Sequence, residues 1–333
     1  VAAVIGLIVL SVGGALPAIA LARFRLVTIP LAPLTGAALA GLSVTAMTGT
    51  GGTLLEWYIG LSSVSAVASV VIRWRYPAAR PRARNLSAAR RLPGRRVAVI
   101  AFAATAGACG FGLSQLVNPI VSYDGFAIWT LHPVWYQAGH TASVAALRNA
   151  ALVFSHPQYP PLVGGTVGLN WTISGLSSVR SGVVMIALLN GLAILAASTG
   201  IMDLARRIAR TDPAGSSGKS QLRSGVVLGT GVVCSVLLAL TSFRAAGTAA
   251  VDGHADLLWA SAAVGAVTYG LVLPWTRAHL GAAVLLACIA GTTKSEGTLT
   301  AAWIIALIGI RGVLVARSHN QRRGYVQPLA FAF

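Results

Sequence analysis

The sequence predicts an all-α polytopic membrane protein of about nine transmembrane helices, and three observations carry that expectation. Of 333 residues, 56% are hydrophobic and only 10% are charged, where a soluble domain has about a quarter. The apolar residues gather into runs near the roughly 17–25 needed to cross a bilayer. The basic residues fall in short loops between those runs, as the positive-inside rule describes. So few charges could not solvate the surface in water, and lipid is the expected solvent. The net charge of +18 invites a nucleic-acid partner. That partner is excluded by where the arginines lie and by the lack of aromatic–basic interleaving on a polar surface.

In chain order the expected spans are 2–22, 27–48, 55–72, 97–118, 179–202, 225–243, 254–273, 279–292 and 298–316, the eighth being short. Gly and Pro recur throughout, which membrane helices tolerate. The organisation is then three N-terminal spans and a basic cytoplasmic loop over 1–96, a transmembrane core over 97–316 with an outer loop at 119–178, and a cytoplasmic tail over 317–333. The chain begins on Val and ends Ala-Phe-Ala-Phe, so a truncated tail is expected. Cys109, Cys234 and Cys288 lie singly in apolar runs and are expected to be small buried hydrophobes.

Orientation follows from lysine and arginine. The segment 73–96 alone holds nine arginines and is expected in the cytoplasm. With the spans above, only Arg148, Arg180, Arg244 and Lys294 of the 25 basic residues fall on the other side. The chain is therefore expected in the plasma (inner) membrane, with its active face outside the cytoplasm. Asp203 and Asp212 belong to a cytoplasmic loop. Glu56, Asp124, Asp252, Asp256 and Glu296 all fall at the outer ends of spans or in outer loops. Carboxylates so near hydrocarbon are costly and point to function.

The outer loop opens on Tyr123-Asp124-Gly125-Phe126-Ala127-Ile128-Trp129 and continues through His132, Trp135 and Tyr136. Trp and Tyr favour the headgroup level, so an interfacial helix is expected above Asp124, whose plainer role would be a helix cap. Ser155-His156-Pro157-Gln158-Tyr159-Pro160-Pro161 is expected to hold His156 and Tyr159 in a fixed, extended geometry. A second interfacial helix is expected at 162–176. On the same side lie Asp252-Gly253-His254-Ala255-Asp256 and Lys294-Ser295-Glu296-Gly297. The Asp-x-His-x-Asp spacing could hold a divalent cation, but two or three ligands are a weak signal, and no cofactor is expected.

These elements in order resemble the GT-C superfamily of bacterial membrane glycosyltransferases, which includes protein O-mannosyltransferases and lipid A aminoarabinose transferases. The nearest likeness is to bacterial members with Tyr-Asp-x-x-Ala-Ile-Trp, here Tyr123 to Trp129, and His-Pro-x-Tyr-Pro, here His156 to Pro160. The resemblance covers about 97–316. It implies a GT-C-like fold, a polyprenyl-phosphate-linked sugar as donor, transfer at the outer face to an extracytoplasmic glycan, lipid or protein, and Asp124 as catalytic base. An Ala- and Arg-rich composition adds an association with high-GC actinobacteria, where decaprenyl-phosphate arabinose or mannose are the expected donors.

The residue chemistry agrees with that implication. Displacement at an anomeric carbon needs a base for the acceptor hydroxyl and charge stabilisation for the leaving phosphate. Asp124 can be the base. Lys294 and Arg244, at span ends, can meet a lipid phosphate, and His156 and Tyr159 can hydrogen-bond phosphate or sugar. Asp256, Glu296 and His254 are expected to orient Lys294 or a histidine. Tyr123, Trp129 and Trp135 are expected to contact substrate. Two other readings stay open. A transporter would carry its polar residues near the midplane of repeated halves. A non-catalytic scaffold derived from a transferase would keep the fold without the chemistry.

Overall fold

A segment in lipid must satisfy its backbone hydrogen bonds internally, which leaves helices as the natural answer for an apolar chain. The computed structural model describes residues 1–23, 25–76, 94–114, 121–211, 218–245 and 253–323, and no strand occurs among them. Seven helices are long and apolar enough to cross a membrane: α1 (Ala2–Ala22), α2 (Thr28–Thr50), α3 (Leu54–Arg75), α4 (Gly94–Ser114), α8 (Val179–Thr211), α9 (Gly218–Leu240) and α12 (Ser295–Arg323). Between α4 and α8 come a π turn at Gly125–Trp129, α5 (His132–Gln137), α6 (His140–Arg148), a 3₁₀ turn at Ala150–Ser155 and α7 (Leu162–Ser174). The chain is thus a helical, multi-pass membrane protein.

The expected seventh and eighth spans are shorter. Asp256–Val272 comprises α10 (Asp256–Val267) and a closing π turn, and α11 covers Arg277–Gly291. α11 is flanked by α1, α2, α10 and α12, so much of its surface meets protein, and Ala282, Ala283, Leu286 and Ala287 are buried. The outermost flanks are α3 and α12. There Val64, Val67 and Val70, and Leu299, Trp303 and Ile310, are exposed large apolar side chains, a surface suited to lipid rather than water.

Helix contacts rest on small residues, because apolar side chains gain little from leaving lipid for one another and close packing must supply the attraction. α1 lies along α2. A methyl group added at Gly14 would run into the Ala32 carbonyl, and one at Gly36 into the Leu10 carbonyl. α8 is central, contacting α2, α4, α9 and α10.

Several expectations are revised. α7 does not lie open on a surface: every residue from Leu162 to Trp171 is buried, packed against α2, α5, α1 and α8. Its Gly164, Gly165 and Gly168 allow that close seating, with Gly165 against the Ala40 backbone of α2. Trp129 and Trp135 are buried as well, so they support the fold rather than form an open aromatic shelf. The proline-rich segment is a turn rather than extended: His156 adopts the left-handed conformation with φ 51° and its carbonyl accepts from Tyr159 N at 2.9 Å. Pro157 favours such a turn at its second position. α8 runs on past 202 to Thr211, so Asp203 is helical and not in a loop. It pairs one turn ahead with Arg206 at 3.2 Å. Cys109 is buried as expected, but Cys234 and Cys288 are exposed, on outward faces where a thiol is apolar enough for lipid. Most of the arginine-rich segment 73–96 and Asp212 lie outside the described residues.

Gly36→Ala should destabilise the protein by about 1–3 kcal/mol, the usual cost of overpacking, because its new methyl group meets backbone. Gly309→Ala, where a methyl group enters open space, should be neutral or mildly stabilising. Thermal unfolding in detergent compares the two; equal melting temperatures would mean that α1 and α2 are not in backbone contact.

Candidate functional site

One end of the bundle collects Asp124, Asp256 and Glu296, and the chain is built to bring them there. Lys294 follows α11 and precedes the first turn of α12. Its Nζ donates to Asp256 Oδ1 at 2.8 Å and lies 3.7 Å from Glu296 Oε1. Asp256 and Glu296 each stand in the first turn of a helix, α10 and α12 respectively, where a negative charge is favoured by the helix dipole. Lys294 is 17% exposed, against 47% for Asp256 and 56% for Glu296. The ammonium is thus the sheltered member and the carboxylates face outward. Burial works to lower the Lys294 pKa, but the hydrogen bond and charge of Asp256, with Glu296 and Tyr159, outweigh it and the net shift is upward. The lysine stays charged.

Above the lysine stands a ladder of rings. Lys294 Nζ is 5.8 Å from the centroid of Tyr159, within cation–π reach. Tyr159 stacks on Trp129 at 5.7 Å and on His156 at 4.9 Å. Burial raises the Tyr159 pKa; Lys294 opposes this, while Glu296, Asp124 and Asp256 add to it. Tyr159 therefore feels the field of all four charged side chains. Two hydrogen bonds fix the segment that carries it. His132 donates from Nε2 to the Ser155 carbonyl at 2.7 Å, and Leu162 N donates to the Thr292 carbonyl at 3.1 Å. The second ties the proline segment to the residues just before Lys294.

Asp124 lies immediately before the π turn, with its side chain 49% exposed and one oxygen 3.6 Å from His254 Nε2. The other ring nitrogen of His254, Nδ1, is 3.2 Å from Ser122 Oγ. Asp124 makes no capping hydrogen bond; the turn is held instead by Ser122 Oγ, which accepts from Gly125 N at 2.9 Å. Asp124 is therefore not spent as a helix cap. π turns of this kind are often found at functional sites.

The loop 253–256 joins the two halves, since His254 faces Asp124 and Asp256 faces Lys294. It is seated by Gly253, whose φ is 99° and whose added methyl group would come within 2.9 Å of Gly125 Cα. Only glycine suits both that conformation and that approach. Asn190, fully buried on α8, donates from Nδ2 to the His254 carbonyl at 3.1 Å.

The expected site residues thus separate into three groups. Asp124 with His254, and Lys294 with Asp256, Glu296, Tyr159 and His156, meet at this end. Tyr123 is exposed beside Asp124 and open to a ligand, whereas Trp135 is buried against His132 and Trp129 is covered by Tyr159, so neither presents a ring to substrate. The Arg244 side chain and Asp252 lie outside the described residues. Glu56 is occupied elsewhere: it forms a capping box with Thr53 at the start of α3. The Thr53-x-x-Glu56 spacing signals that box in the sequence. Ser122, Asn190 and Trp259, whose Nε1 donates to Asp256 at 3.4 Å, belong to the site too. Their types are ordinary and no local spacing marks them.

Lys294 departs in one respect from the expected role. It is paired rather than an isolated cation, and around it Asp124, Asp256 and Glu296 give a locally acidic surface. An ammonium has three N–H donors, so the bond to Asp256 leaves two for another acceptor. No group of three or more His, Cys, Asp or Glu disposed to hold a metal occurs among the described residues. A cavity of about 1050 Å³ lies elsewhere, at the arginine-bearing end of the bundle. No protein family, curated protein or solved structure matches the chain.

His132 couples pH to this architecture. Burial pushes its pKa down from 6.5 to about 4, with the Ser155 hydrogen bond opposing and His156 assisting. Unfolded, His132 takes up a proton near pH 6.5; folded, it resists until about 4. Its contribution is complete above 6.5 and is lost as pH falls through that window. Melting temperatures measured from pH 7 to 4 should fall, and should fall less steeply in His132→Gln. Parallel curves would show that His132 is not held neutral by its burial.

Proposed function

We propose that this chain is a GT-C-type glycosyltransferase that moves a sugar from a polyprenyl-phosphate donor to an extracytoplasmic acceptor. The observation that carries the reading is the 253–256 loop, which sets a carboxylate–histidine pair, Asp124 and His254, beside a lysine–carboxylate cluster, Lys294, Asp256 and Glu296. The first supplies a base and the second a cation, the two functions that displacement from a lipid phosphate requires.

In the proposed reaction the acceptor hydroxyl oxygen attacks the anomeric carbon. Its proton passes to Asp124, and the bond from that carbon to the phosphate oxygen breaks with the electron pair leaving on the lipid phosphate. His254 orients Asp124, held itself by Ser122 and by the Asn190 bond to its carbonyl. The two spare N–H donors of Lys294 meet the developing phosphate charge. Asp256 and Glu296 aim the ammonium, and Tyr159 and His156 present hydroxyl and imidazole to the sugar. Tyr123 lines the approach. The acidic surround favours a neutral sugar acceptor rich in hydroxyls. A transporter fits less well, because these charges collect at one end and not at the midplane.

Asp124→Asn keeps the shape but cannot take the proton, and transfer from the host's polyprenyl-phosphate sugars should fall by about 10²–10⁴-fold with folding and donor binding retained. Lys294→Ala should weaken donor binding as well as rate, because the phosphate is present before and during transfer. Wild-type transfer by Asp124→Asn would remove Asp124 as the base.

The same reading assigns nine crossings in a plasma membrane, with 73–96 cytoplasmic and 119–178 external. In a background lacking the native cysteines, Asn85→Cys should react only with reagent applied from the cytoplasmic side. Labelling from outside would invert the topology and move the proposed site to the wrong face.

A further inference from the structure

The two ends of α11 differ in kind. Its last turn leads to Lys294; its first turn holds His279 in the wall of the 1050 Å³ cavity. At 1.5 Å per residue the helix separates them by about 22 Å. The cavity lies between two groups of helices: α1 with α2 on one side, α4 with α8 and α9 on the other. Its wall is apolar where these helices supply Ile19, Ile29, Val99 and Phe102, and strongly basic where α8 and the link from α1 to α2 supply Arg25, Arg206 and Arg207.

The polar end is not internally neutral. Three arginines line the cavity with one carboxylate, Asp203, which pairs with Arg206 at 3.2 Å and with Arg25 at 3.7 Å. Arg25 also meets His279, and Arg207 donates to the Val272 carbonyl at 3.4 Å. Two polar atoms here are buried without a hydrogen-bond partner, Ser198 Oγ and Arg206 Nε. Ser198 is 2% exposed and lines the cavity. A buried donor left unmade is costly, and two beside surplus positive charge call for an anionic acceptor.

We propose that this cavity binds a lipid carrying a phosphate headgroup, with the phosphate on Arg206, Arg207 and Ser198 and a hydrocarbon chain along the Ile19–Phe102 wall. Basic pockets between transmembrane helices suit such headgroups, and guanidinium is the natural partner of phosphate. The volume is at the upper end for a ligand pocket, large for an inorganic ion alone. This site does not depend on the chemistry at the Lys294 end.

The test uses the whole chain in detergent, with native mass spectrometry reading lipid retention. Dioleoyl phosphatidic acid, dioleoyl phosphatidylcholine, diolein and inorganic phosphate are the probes. One phosphatidic acid should be retained at a concentration at least tenfold below that needed for phosphatidylcholine, and diolein should not compete for it. Arg206→Gln and Arg207→Gln should each weaken retention about tenfold, and Arg317→Gln, outside the cavity, should not. Ser198→Ala removes a hydroxyl with no internal hydrogen bond, so it should leave the melting temperature unchanged while weakening retention several-fold. Equal retention by wild type and the three cavity variants overturns the proposal. So does displacement by inorganic phosphate at the same concentration as phosphatidic acid, which would make this a free-phosphate site.

Discussion

Lys294 is held between Asp256 and Glu296 where three chain segments converge: the start of α10, the link from α11 to α12, and the proline turn that carries Tyr159. An ammonium with this little solvent exposure needs compensating charge, since removing one partner of a sheltered pair leaves a charge uncompensated. Both carboxylates come from first helical turns, where their own charge is already favoured. The arrangement therefore constrains two helix starts at once. It also sets where the 253–256 loop can run, and through Gly253 and His254 where Asp124 stands.

Charge is divided between the two ends of the bundle with little in between. Asp124, Asp256, Glu296 and Lys294 gather at one end; Arg25, Asp203, Arg206 and Arg207 line the cavity at the other. Ionisable groups inside a membrane protein are expensive and persist where they pair or act. Both clusters are paired internally but not balanced: surplus carboxylate around Lys294, surplus guanidinium in the cavity. α11 connects the two surfaces and is packed by helices on several sides, so its short length does not expose backbone to lipid.

Much of the helical outline is readable from composition and run length. The expected spans at 2–22, 27–48 and 55–72 differ from α1, α2 and α3 by no more than a few residues at either end, because long apolar runs in lipid have essentially one backbone solution. The connection between α4 and α8 is less legible. Trp129, Trp135 and α7 carry the aromatic and glycine-rich composition of a membrane interface, yet they are buried within the bundle. Composition reports preference for an apolar surrounding without saying whether lipid or protein supplies it. Glu56 shows the converse: its Thr53-x-x-Glu56 box is local and legible, while its side of the membrane alone would place it with the other acids.

By itself the sequence determined that the chain is helical and membrane-embedded, and that Asp124, Asp256, Lys294 and Glu296 fall outside the long apolar runs or at their ends. These follow from hydropathy and charge placement, which act over single segments. Only the tertiary structure decided that Lys294 is paired rather than free, that His254 turns to Asp124 while Asp256 turns to Lys294, that Ser122 and Asn190 support them, and that a basic cavity opens where Arg25 meets Asp203. Those contacts join residues as far apart in sequence as Ser122 and His254. They depend on how closely helices approach, which glycines such as Gly36 and Gly253 permit through what they lack, and no local pattern records which partner will fill that space.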